Sequence, residues 1–128
     1  MKSLKSESVM IHAMFCWLAV ALWMTAIFVI SASPSVATSL EPVYDFSVKK
    51  LAHVVVYGIL TALLFGALRL HTRRKVYAVL FAAVIAMLYA LSDEWHQTFV
   101  PGRSGSLRDV GFDGLGVLGG ALWFGKSK

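Results

Sequence analysis

Cysteine, proline and acidic side chains are all scarce in this chain of 128 residues. The single cysteine, Cys16, lies in an apolar run, which excludes an intrachain disulfide, makes a thiolate metal site implausible and leaves a small packing role. The three prolines, Pro34, Pro42 and Pro101, fall between the apolar runs, so none interrupts a helix there. Charged residues make up 15% of the chain against 58% hydrophobic, and the mean hydropathy is +0.70. That balance excludes an ordinary soluble domain and fits one small multi-pass membrane domain over residues 1–128. Twelve Lys and Arg outweigh seven Asp and Glu, yet these bases cap hydrophobic runs instead of covering a soluble face, which argues against nucleic acid as a partner. Also missing are a P-loop, a dinucleotide fingerprint, a Ser-His-Asp order and any zinc-type Cys/His spacing.

What remains is apolar sequence in four runs. The expected fold is all-α: a compact bundle of four transmembrane helices, at about 9–31, 50–70, 75–97 and 108–125, with a short structured loop between the third and fourth. The first run exceeds the roughly 7–15 residues of a signal-peptide core and reads as an uncleaved helix, stopped at Ser33-Pro34. A polar connection over 34–48 follows, with Glu41, Pro42 and Asp45, and with Tyr44 and Phe46 at headgroup depth. The second run matches a hydrocarbon thickness of about 30 Å at about 1.5 Å per residue. The third and fourth are shorter, which draws their polar ends, Asp93 and Asp109, toward the membrane zone. Small residues recur every fourth position, Gly58, Ala62 and Gly66, then Ala82, Ala86 and Ala90, then Gly116 and Gly120, a spacing that lets helices approach closely in lipid.

The bases set an expected orientation. With both termini cytoplasmic, the inner side receives Lys2, Lys5, Arg69, Arg73, Arg74, Lys75, Lys126 and Lys128, and the outer side only Lys49, Lys50, Arg103 and Arg108. This follows the positive-inside rule, with segment 92–109 facing away from the cytoplasm.

Polar chemistry concentrates where three helix ends meet on that outer side. At about 100° per residue, Lys50, His53 and Tyr57 share one face of the second helix. On the third, Asp93 and Gln97 continue the stripe of Ala86 and Ala90, with Glu94 beside it; on the fourth, Asp109 and Asp113 continue into Gly116 and Gly120. Capping accounts for Asp109 but not for Asp113, which lies beyond the first turn and needs a partner. Arg103 and Arg108 follow a Pro-Gly turn and suit bidentate binding of a phosphate or carboxylate. His12 and His96 are expected at the two interfaces, with Trp95 and Trp123 as belt anchors.

The combination of Lys50, His53 and Tyr57, then Asp93, Glu94 and Gln97, then Arg103 after Pro-Gly, then Asp109, Asp113 and Gly116 resembles the VanZ-like family. These are small bacterial membrane proteins named for one associated with resistance to the glycopeptide teicoplanin. The resemblance covers most of the chain from Lys50 onward and implies a role at the cell envelope, with a link to glycopeptide resistance. The family commonly has Asn where this chain has Asp113.

Three functional readings follow. In the first, the outer pocket binds an anionic lipid headgroup or a lipid-linked wall precursor, held by Lys50, Arg103 and Arg108 and oriented by His53, Tyr57, Asp93, Glu94, Gln97, Asp109 and Asp113, with no cofactor. In the second, Asp93, Asp109 and Asp113 hold Mg²⁺ or Mn²⁺ in a phosphoryl-transfer or hydrolytic site, with His53 or Glu94 as acid or base. In the third, the polar groups pair internally and the chain acts as a structural subunit with another membrane protein.

Overall fold

In the computed structural model the described residues are 2–34 and 42–127, with side chains described for 7–34, 44 and 46–127. They form four helices: α1 (Lys2–Ala32), α2 (Pro42–Arg69), α3 (Lys75–Gln97) and α4 (Leu107–Lys126). The bundle expected from the four apolar runs is present, with two changes of boundary. Helix α1 begins well before the apolar run, and α2 starts at Pro42, so residues 42–48 of the expected polar connection are helical. Proline is well suited to a first helical position, where it has no helical hydrogen bond to lose. Tyr44 and Phe46 therefore extend α2 as exposed residues. Glu41 lies outside the described residues, as do the side chains of Lys2, Lys5, Asp45 and Lys128.

Three of the helices, over Glu7–Ala32, Phe46–Arg69 and Lys75–Gln97, are long and apolar enough to cross a membrane. Helix α4 is shorter and carries Arg108, Asp109, Asp113 and Lys126. The distribution of side chains is that of a protein solvated by lipid. Ala78, Ala82, Ala86 and Ala90 are wholly buried along α3, while Leu80, Phe81, Val84 and Leu88 on the same helix face outward. Small residues inside and bulky apolar ones outside suit a setting where close packing, and not the removal of apolar surface from water, holds helices together.

Helix α2 is central and packs on each of the other three; among the described residues α1 reaches α2 and α3 but not α4. The tightest seam joins α2 to α4. A β-carbon at Gly120 would sit 3.1 Å from Cβ of Thr61, and one at Gly116 would run into the carbonyl oxygen of Val54. Further along, the rings of Phe65 and Phe124 stack with centroids 4.6 Å apart. Partner numbers differ by a near-constant amount down this seam, so the two helices run in the same direction.

Helix α1 is tied to its neighbours by side-chain donors reaching backbone carbonyls. Trp23 Nε1 donates to Val56 O on α2 at 3.1 Å, and Tyr89 Oη on α3 donates to Met24 O at 2.6 Å. Cys16 is a free, half-buried residue packed against the core, as its setting in an apolar run suggests.

Candidate functional site

The loop between α3 and α4 is built by ordinary turn chemistry. Arg103 N donates to Val100 O at 3.1 Å across Pro101 and Gly102, and Gly102 has φ 77°. Proline at the second position and a positive-φ glycine at the third are the requirements of a type II turn. The hairpin then lies against the end of α3. Ser106 N donates to Glu94 Oε2 at 2.8 Å, and a β-carbon at Gly105 would collide with the carbonyl oxygen of Glu94. Ser106 caps α4 by accepting from Arg108 N at 3.1 Å, which places Asp109 in the first turn and Asp113 one turn deeper.

This construction brings the polar stripes of α2, α3 and α4 to one end of the bundle in two groups. The first lies on the α2–α4 seam: Lys50 Nζ donates to Asp109 Oδ1, and His53 Nδ1 lies 2.7 Å from Asp113 Oδ1. The Lys50 and Asp109 side chains keep some contact with solvent, whereas Asp113 is completely buried. Glu94 belongs beside this group, because one ligating atom each from His53, Glu94 and Asp113 lie within 4.8 Å of one another. The carboxylates expected together as metal ligands, Asp93, Asp109 and Asp113, are not the set that meets at ligating distance. On α3 it is Glu94, not Asp93, that faces α4.

Asp93 turns toward α1 instead and organises the second group. Its Oδ2 accepts from Ser31 Oγ at 2.9 Å and from Gln97 Nε2 at 3.0 Å. Arg103 closes the group, donating from Nε to Ser33 O at 2.9 Å, from Nη2 to Ile30 O at 3.0 Å and from Nη1 toward Gln97 Oε1 at 3.5 Å. The carbonyls at the end of a helix have no partner within it and mark the negative end of its dipole, so a guanidinium there is well placed. The expected anion clamp thus has part of its donor set committed to the end of α1. Arg108 is exposed and lies outside the cavity described below.

Between α1, α2 and the hairpin lies an open cavity of about 640 Å³. Trp23, Ile27 and Val56 form apolar wall, while Lys49, Lys50, His53, Asp93, Gln97, Arg103 and Asp109 supply polar groups. Tyr57 lines it too, its ring 6.5 Å from that of Tyr89 and its hydroxyl buried without a hydrogen-bond partner. Asp93 Oδ1, Glu94 Oε1 and Asp113 Oδ2 are also buried and unpartnered. The histidine expected at the interface, His96, packs its ring against Phe28, tilted by 33° with centroids 4.6 Å apart, and Trp95 is exposed.

Residues 13–125 match the sequence model of the VanZ/LLP1 family. The chain belongs to that family. No curated protein and no solved structure matches it. The family match includes α1 from residue 13 to its end, and the second polar group shows why that helix matters to a VanZ-family chain. Ser31, Ile30 and Ser33, none of them expected from the sequence to belong to the site, supply a hydroxyl and two carbonyls to Asp93 and Arg103. The available signal was weak: a small polar residue one turn before a helix-ending proline, in a run whose moment gives no clear inward face.

Proposed function

We propose that this VanZ-family protein binds the polar, anionic end of a membrane lipid or lipid-linked wall precursor in the cavity between α1, α2 and the α3–α4 hairpin. The observation that carries the reading is the cavity's graded wall, apolar at Trp23, Ile27 and Val56 and, in its polar part, with three bases, Lys49, Lys50 and Arg103, against two acids, Asp93 and Asp109. A ligand with an acyl or prenyl tail and a phosphate head has the same gradation. Arg103 retains N–H groups beyond those given to α1, since a guanidinium carries five. In this reading both termini are cytoplasmic and the hairpin faces outward, where wall precursors are used, which is how the protein would bear on glycopeptide resistance.

The test is binding of lipids to the purified full chain in detergent, followed by native mass spectrometry. Phosphatidylglycerol and a polyprenyl phosphate should be retained over phosphatidylcholine, and Lys50→Ala should reduce that preference. Retention of all three lipids alike would remove the reading, and a difference between the two anionic lipids would identify the source.

A second reading is supported by the extent of internal pairing. Lys50 with Asp109, His53 with Asp113, and Asp93 with Ser31 and Gln97 already occupy much of the polar chemistry. On that reading the pairs set the helix register and the protein works as a subunit of a membrane complex. Lipid preference would then be absent, while charge-neutralising substitutions would still lower stability.

A further inference from the structure

We propose that His53, Glu94 and Asp113 form a binding site for a divalent first-row transition-metal ion, Mn²⁺ or Zn²⁺. One ligating atom from each lies within 4.8 Å of the other two. The donors come from three helices, so the bundle and not a local loop brings them together. The independent observation concerns the oxygens left over. Glu94 is 5% exposed and Asp113 is 0% exposed. Each carboxylate has one oxygen engaged, Glu94 Oε2 by Ser106 N and Asp113 Oδ1 by His53 Nδ1, and one oxygen, Glu94 Oε1 and Asp113 Oδ2, buried without a partner. Two such oxygens beside one imidazole leave acceptor capacity that the protein itself does not fill, and buried acceptors are ordinarily filled.

The neighbouring cation does not fill it, because Lys50 donates to Asp109. A metal ion would, and the ligand set narrows which. Imidazole with two carboxylates suits Zn²⁺ or Mn²⁺, whereas an all-oxygen shell would suit Mg²⁺ or Ca²⁺. Ligands at about 2.0–2.2 Å from the ion lie roughly 3 Å apart, so modest side-chain rotations would draw the three together. The engaged oxygens then act as orienting contacts: Ser106 N steers Glu94, and Asp113 steers the imidazole, as supporting hydrogen bonds do around metal ligands. His53 also lines the cavity, which puts the ion at its wall.

This inference is independent of the lipid reading, and its test contains no lipid. The full chain, purified in detergent and stripped with a chelator, is titrated with MnCl₂ and with ZnCl₂ by calorimetry, and bound metal is counted by mass spectrometry. One ion per chain is expected, with affinity weakened about tenfold or more by Glu94→Gln and by Asp113→Asn. Lys126→Ala, on the far end of α4 and about 20 Å along that helix from Asp113, should leave affinity within about threefold, since distant sites act independently. Nitrogen hyperfine coupling in the Mn²⁺ spectrum of the unaltered protein checks His53 coordination without relying on a variant's folding. Absence of stoichiometric Mn²⁺ and Zn²⁺ binding, or binding indifferent to Glu94→Gln, or an Mn²⁺ spectrum without nitrogen coupling, would overturn the assignment.

Discussion

Gly116 on α4 lies against the carbonyl oxygen of Val54 on α2, so closely that a β-carbon at position 116 would collide with it. The two polar contacts above this point, Lys50 with Asp109 and His53 with Asp113, depend on the same approach, because each spans the same pair of helices. One glycine thereby couples helix packing to the assembly of the polar group.

The first prediction tests that coupling. Gly116→Ala forces two backbones apart and should cost about 1–3 kcal/mol, the usual range for overpacking. Gly119→Ala and Gly125→Ala meet nothing within 4 Å and should be neutral or slightly stabilising, by up to about 1 kcal/mol from helix propensity. Thermal unfolding in detergent measures the difference. Equal melting temperatures for the 116 and 119 variants would mean that the seam is not close-packed.

His53 and Asp113 should show strong coupling in metal-free buffer. His53→Ala strands a wholly buried carboxylate, and breaking one side of such a pair costs about 3–5 kcal/mol. Replacing both by leucine should recover part of that loss, since the second substitution removes the stranded charge. A double-mutant cycle of His53→Leu, Asp113→Leu and the double variant in denaturant gives the coupling, and strictly additive losses would contradict the pairing.

Arg103→Lys is not a conservative change here. A guanidinium reaches Ser33 O and Ile30 O through separate nitrogens, and an ammonium cannot reproduce that fork. The loss should be about 1–2 kcal/mol locally and should appear as faster amide exchange near the end of α1. Unchanged exchange at residues 30–33 would show that these contacts do not hold the helix end.

Two further donors attach α1 to α3 at different depths. Ser31→Ala removes one of the donors to Asp93 Oδ2, and Tyr89→Phe removes the donor to Met24 O. Each should cost about 1 kcal/mol. The two losses should add, since the sites share no partner. Non-additivity above about 0.5 kcal/mol in equilibrium unfolding would show that α1 is held as a single cooperative unit.

Some of this protein is legible from its residues taken in order. Apolar run length and proline placement gave the four helices, and alternating chain direction put the starts of α2 and α4 and the end of α3 at one end of the bundle. The faces shared by Lys50 with His53, by Asp93 with Gln97 and by Asp109 with Asp113 also follow from 3.6 residues per turn, as does the requirement that Asp113 have a partner. Those are properties of single helices.

Choice of partner is a property of pairs, and only the tertiary structure decided it. Asp93 and Glu94 are adjacent in sequence but diverge by about 100° around α3, so the rotation of that helix sends Asp93 toward Ser31 on α1 and Glu94 toward Ser106 and the α4 carboxylate. Arg103 met carbonyls at the end of α1, which no side-chain pattern announces because every residue has one. The rotation itself is set by the alanine stripe Ala78, Ala82, Ala86 and Ala90, wholly buried, whose small side chains turn one face of α3 into the bundle.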